Sequence, residues 1–234
     1  MKTFATTLPT EARDDAMQLM LRRAELAACI ERFVPGDGIH ATPILRVHLV
    51  RATRSSAPSH TLCEPGLCLL AQGRNRVLLG DEVTVYDALN YLVVAQDLPI
   101  SGQVVDATPD APYLGLRIDL EPAQIAALML DIGRPQEPVP PVARGLFTGQ
   151  TSAALLDATL RLVRLLDTPE DIAVLSPLVM REILYRILSS EHGWRLAQIG
   201  TPDSDGERTR VRLPGCGNGT GSRCAWTTWR ARCT

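Results

Sequence analysis

The sequence predicts an α+β chain: a sandwich or small barrel of short strands, then a pair of packed helices. Three observations carry this. Between Thr61 and Leu120, runs of four to eight residues rich in Val, Leu and Ile are each bounded by Gly, Pro, Asn or Asp. Short strands at roughly 8–12-residue spacing favour a sandwich or barrel. Gly80-Asp81 stands between two such runs and signals a hairpin. After Thr151 the apolar residues change to helical spacing.

Taken in order, Glu11 to Phe33 places Ala16, Met20, Leu21, Ala24, Ala27, Ala28 and Phe33 at helical intervals, and Pro35-Gly36-Asp37-Gly38 stops the helix. Thr10 is its partial cap, with Arg13 where a capping box wants Glu. His40 to Val50 reads as one leading strand, with Leu45, Val47 and Leu49 alternating against Arg46 and His48. The central strands follow, from Leu67-Cys68-Leu69 to the last run, Tyr113 to Leu120. Asp87 to Asn90, Asp97-Leu98-Pro99 and Thr108 to Pro112 read as turns. Glu121-Pro122 opens a helix to about Ile132, and Gly133 to Gly149 is a Pro-rich excursion. Thr151 to Leu166 is a helix. Thr168-Pro169-Glu170-Asp171 caps a short one, and Ser176-Pro177 starts another that ends near Gly193. Two such helices with short links form an antiparallel hairpin, whose stripe covers either the strands or a second copy of itself.

Composition excludes several classes. A net charge of −2 leaves no electrostatic footprint for nucleic acid. No run of about 18 apolar residues predicts a membrane helix, and Met1-Lys2-Thr3-Phe4 opens no signal peptide, so a soluble cytoplasmic protein is expected. Six cysteines (Cys29, Cys63, Cys68, Cys216, Cys224 and Cys233) show no Cys-x2-Cys spacing and read as reduced thiols. No Gly-x-Ser-x-Gly elbow or Gly-rich phosphate loop occurs.

An ordered set of segments then becomes informative. It runs Leu67-Cys68-Leu69 with Gln72-Gly73, Val77-Leu78-Leu79-Gly80-Asp81-Glu82, Tyr91-Leu92-Val93-Val94, and Asp97-Leu98-Pro99 with Gly102-Gln103-Val104. It continues with Pro112-Tyr113-Leu114, Leu116-Arg117 and Pro177-Leu178 with Arg181-Glu182-Ile183-Leu184-Tyr185-Arg186. Over roughly residues 20–200 this resembles the effector-sensing N-terminal half of AraC-type (AraC/XylS) transcriptional regulators. The resemblance implies a cupin-like β-barrel (a double-stranded β-helix or jelly roll), then an α-helical dimerisation hairpin, then a DNA-binding domain of two helix-turn-helix units. The expected division is an N-terminal helix and arm at 1–35, the effector barrel at 36–150, the dimerisation hairpin at 151–195 and a tail at 196–234.

The tail departs from the family. Residues 206–234 hold Gly, Thr, Arg and Cys without period, where the DNA-binding domain would stand. Lys2 is the only lysine, and the Arg, Ala, Gly and Pro bias fits a GC-rich coding sequence. Read one base back from about Arg210, GC-rich codons can give an amphipathic segment, a Gly-Gln-Pro break and a second helix start, with Trp226 and Trp229 constraining the reading. The expectation is a frameshifted, disordered tail, and contact with DNA only through a domain that this chain lacks.

The expected function is effector sensing and self-association as a homodimer, with no enzyme activity, no cofactor and no membrane partner. The alternative is a stand-alone ligand-binding cupin or cupin enzyme. That alternative needs His-x-His metal ligands, whereas His40, His48, His60 and His192 are scattered. Cys63 or Cys68 with His60 is the weak candidate for nucleophilic chemistry. Candidate effector contacts are His60, Tyr86, Tyr91, Tyr113 and Arg117. In the last strand Tyr113, Gly115, Arg117 and Asp119 share one face, and either face can be interior. Arg117 has two open readings: a receptor for an anionic effector, or a partner for a carboxylate such as Asp119 or Glu82. Candidate dimerisation residues are Leu155, Leu156, Leu160, Val163, Ile183, Leu184 and Ile187.

Overall fold

A computed structural model describes residues 10–133, 145–197 and Ile199. The predicted tail, the middle of the Pro-rich excursion and the first nine residues lie outside the described residues.

Helix α1 (Thr10–Phe33) leads into β1 (Gly38–Ala41) and β2 (Val47–Ala52). The single strand expected over His40 to Val50 is therefore broken. A turn separates the two strands, Arg46 takes a φ of +67° there, and Leu45 is 79 % exposed rather than alternating inward. Thr42 holds the turn by donating its hydroxyl to the Val47 carbonyl at 2.9 Å. Then come β3 (Ser59–Cys63), β4 (Gly66–Gln72), β5 (Arg74–Leu79), β6 (Glu82–Asp87), β7 (Asn90–Val94), β8 (Leu98–Asp106) and β9 (Tyr113–Asp119). The expected β5–β6 hairpin is present, with Leu79 opposite Glu82 and Gly80 at φ +59°. A glycine at the first turn position matches the twist of the flanking strands. Leu98 and Pro99, expected in a turn, open β8 instead. Pro99 pairs only with Leu62 of β3, because β5 joins β8 from Ser101 onward, so the missing N–H breaks no ladder.

Helix α2 (Pro122–Asp131) starts where Glu121-Pro122 predicts, and the Pro-rich excursion returns as β10 (Leu146–Gln150). Ser152 caps α3 (Ala153–Arg164), its hydroxyl accepting from the Leu155 amide at 3.2 Å. The two helices expected after Thr168 are one. A 3-10 turn over Pro169–Asp171 feeds α4 (Ile172–Leu188), which runs through Pro177, and α5 (Gly193–Ala197) follows. Thr168 makes no side-chain cap bond.

Among the described residues the ten strands form two antiparallel sheets, β1-β2-β9-β4-β7-β10 and β3-β8-β5-β6. They face one another across a shared core as two separate sheets. Gly73 turns the chain from the first sheet to the second at φ +88°, where an added Cβ would stand 2.8 Å from the Asp106 carbonyl oxygen.

Two cores result. One fills the space between the sheets, with Leu70, Val77, Leu92, Val94, Ile100 and Val104. The larger joins the other face of the six-stranded sheet (Leu49, Leu67, Leu69, Val93, Leu116 and Ile118) to the helices. So β9 is buried on both faces, which is why it reads as a nearly continuous apolar run. Across the helical layer, Arg22 pairs with Asp157 at 2.9 Å, Arg164 with Glu25, and Arg161 with Glu182 at 2.6 Å. These exposed pairs orient the helices more than they stabilise them.

Candidate functional site: a cavity between the sheets

The alternation of β9 builds the site. Leu114, Leu116 and Ile118 face the helices, while Tyr113, Gly115 and Arg117 face the space between the sheets. A cavity of about 120 Å³ lies there. Gly102 of β8 helps to leave it open, because nothing stands within 4 Å of where its Cβ would be.

Arg117 is 4 % exposed. Its Nε donates to Asp119 Oδ1 at 2.7 Å, its Nη1 to Cys63 Sγ at 3.2 Å and its Nη2 to the Glu64 carbonyl at 2.9 Å. Gly66 lets the guanidinium lie against β4, since an added Cβ would be 2.7 Å from its central carbon. Burial works against the charge, the Asp119 carboxylate and the hydrogen bond to Cys63 favour it, and the pKa of Arg117 is raised. Asp119 also accepts from His48 Nε2 at 3.1 Å. Burial pushes its carboxyl up, yet the His48 hydrogen bond and Arg117 together hold it below the ordinary value of 3.8. A depressed native pKa supplies stability that is complete above the unfolded value and is lost as pH falls through the folded one. The expected result is that urea midpoints of the native chain fall more steeply below about pH 4 than those of Asp119→Asn. Parallel profiles would count against the pairing.

Beside the ion pair runs a row of neutral hydrogen-bonding groups. Asn75 Nδ2 donates to the Tyr113 hydroxyl at 3.2 Å, and Tyr86 and Cys68 line the same wall between them and Arg117. Burial pushes Tyr113 up to about 12 and Cys63 up to about 11, and it raises Tyr86 and Cys68 as well. All four stay protonated near neutral pH.

Of the expected effector contacts, Tyr86, Tyr113 and Arg117 line this cavity. His60 sits on exposed β3 at its rim, and its pairing with Ser101 turns the side chain outward, because the neighbouring pair Thr61–Ile100 faces in. Tyr91 faces the helices, where its hydroxyl meets Ser190 Oγ at 3.0 Å. Leu92 and Val94 take the inner face of β7 in its place. The seven residues expected to face a partner (Leu155, Leu156, Leu160, Val163, Ile183, Leu184 and Ile187) are buried in the chain's own core. The chain's own core, with α1 packed on α3 and α3 on α4, already covers the stripe they form. Asn75 also lines the cavity and is not among the expected contacts. Its signal is alternation, since Asn75 lies two residues before buried Val77.

The model of the AraC-type transcriptional regulator N-terminus matches residues 43–195. The chain belongs to that family. The family is one of transcriptional regulators rather than enzymes, and the matched span of this AraC-type chain holds the whole cavity wall except Ile39. No curated protein matches the sequence. Among solved structures, ToxT from Vibrio cholerae is similar at 12 % identity and a TM-score of 0.44, over 69 % of this chain and 61 % of that one. ToxT bound to an unsaturated fatty acid, from Vibrio cholerae strain SCE256, is similar at 8 % identity and a TM-score of 0.40, over 61 % of this chain and 53 % of that one. The AraC-like transcriptional activator CuxR is similar at 16 % identity and a TM-score of 0.27, over 65 % and 47 %. The AraC-type chain thus spans about three fifths or less of these proteins. At such scores the family rests on the domain match, not on the superpositions.

Proposed function

We propose that this chain senses a small-molecule effector in the cavity between its sheets, as the N-terminal regulatory part of an AraC-type regulator. The observation that carries the reading is the cavity between the sheets, with an apolar body and one polar wall inside the family-matched span. In this reading the two facing sheets are an open form of the cupin-like barrel, and the cell interior is the setting. No described helix is long and apolar enough to cross a membrane. An effector with different affinity for two arrangements of the chain would shift their balance, and DNA binding would follow in a region beyond the matched span. Self-association as a homodimer belongs to the same reading. Its surface is what α4 leaves exposed, the stripe of Val174, Leu178 and Tyr185, rather than the buried residues.

The test compares the native chain with Gly102→Phe, which fills the cavity, in a thermal-shift screen of small metabolites. A ligand at about 100 times its Kd adds about 2.7 kcal/mol, or roughly 5–10 °C for a domain of this size. At least one compound is expected to raise the native Tm and leave Gly102→Phe unchanged. If every compound moves both proteins alike, the cavity is not the site.

A further inference from the structure

A site for a charged effector needs a counter-charge still to be met. Among the described residues that line the cavity, the groups able to carry positive charge are His60 and Arg117. The strand register turns His60 outward. Arg117 already directs donors to Asp119, Cys63 and the Glu64 carbonyl, and the Asp119 carboxylate balances its charge. An anion entering here would displace the Asp119 carboxylate from a guanidinium whose donors are already engaged and leave that carboxylate the His48 contact, and a cation would approach a guanidinium. Both arrangements leave buried charge less well compensated.

The open hydrogen-bonding capacity lies elsewhere. Asn75 lines the cavity and spends its amide nitrogen on Tyr113, while its Oδ1 is buried without a partner. Turning the amide over exchanges the two atoms and still leaves one unmet. A register shift against β8 falls between Arg74 and Asn75, the kind of irregularity that re-aims a side chain beside a site. An unsatisfied buried amide is costly, and a ligand group that completes it recovers that cost on binding. Around it the walls are Leu70, Val77, Leu92, Val94, Ile100 and Val104. The volume of about 120 Å³ is of the order that holds one small ring, since an apolar cavity of about 150 Å³ takes benzene.

We propose that the cavity selects an uncharged ligand, with an apolar body of single-ring size and one hydrogen-bonding head that docks on Asn75. The inference rests on the reading of the cavity as an effector site. Arg117 then acts as a fixed part of the wall, not as an anion receptor.

Matched probes test it on the full chain at pH 7 by calorimetric titration: benzamide and benzyl alcohol against benzoate, with ethylbenzene as the apolar reference. The neutral polar probes are expected to bind at least ten-fold more tightly than benzoate. Asn75→Leu is expected to remove their advantage over ethylbenzene while ethylbenzene binding persists. Benzoate binding as tightly as benzamide would overturn the selectivity and leave the effector reading standing. So would benzamide and benzyl alcohol keeping their full affinity in Asn75→Leu. If no probe binds, ethylbenzene included, the effector reading itself falls. The comparison of probes on the native chain needs no variant to fold.

Discussion

Replacing Arg117 with methionine is expected to lower the unfolding free energy by about 3 kcal/mol. That is the lower end of the range for breaking a buried pair by removing one partner. Three acceptors lose their donor at once: Asp119 Oδ1, Cys63 Sγ and the Glu64 carbonyl oxygen. The loss stays at the lower end because Asp119 keeps His48 and is partly exposed. Arg117→Lys is expected to recover little, because an ammonium cannot spread donors across three acceptors as the planar fork does. Adding Asp119→Leu to Arg117→Met should restore part of the stability, since removing both charges costs less than stranding one. Urea unfolding of the two single variants and the double variant gives the coupling directly. A loss below about 1 kcal/mol for Arg117→Met would mean that the pair is solvated and the wall is not fixed.

Replacing Ile187 with alanine is expected to cost about 2–5 kcal/mol in unfolding and to leave association unchanged. Ile187 is 0 % exposed and packs in the larger core, on the helix that lies against α3. Leu178→Glu should do the reverse. Leu178 is 61 % exposed on the same helix, so the change removes no packing, with stability expected to stay within about 0.5 kcal/mol. In a dimer that uses the Val174, Leu178 and Tyr185 stripe, it buries a charge at the interface and shifts the chain to monomer. Unfolding curves with sedimentation at several concentrations separate the two effects, because the apparent stability of a linked dimer rises with concentration. If Ile187→Ala weakened association and left the monomer intact, the predicted interface would be restored in place of the exposed stripe.

Much of this fold was legible as local pattern. The helix up to Phe33, the hairpin at Gly80, the proline start of α2 and the strand from Tyr113 follow from spacing and turn chemistry in neighbouring residues. The ordered segments from Leu67 to Arg186 also carried the family. Where short-range signals competed, the longer context won. Pro177 reads as a helix start but lies within α4, and Pro99 reads as a turn but opens β8 where no second neighbour needs its amide.

What the sequence by itself determined about this protein is relative position: which residues share a strand face, and which share a helix stripe. Period-2 alternation puts Tyr113 with Arg117 and Tyr91 with Val93, but it is silent on what each face meets, because β7 and β9 are buried on both sides. A stripe such as Leu155 to Ile187 announces burial without naming the surface that does the burying. Only the tertiary structure decided that Tyr113 and Arg117 wall a cavity while Tyr91 turns to the helices, and that the stripe closes within this chain's own core. The physical reason is that apolar burial is non-directional. It specifies that a face leaves water, and the partner it meets follows from how the two sheets and the helical layer stack.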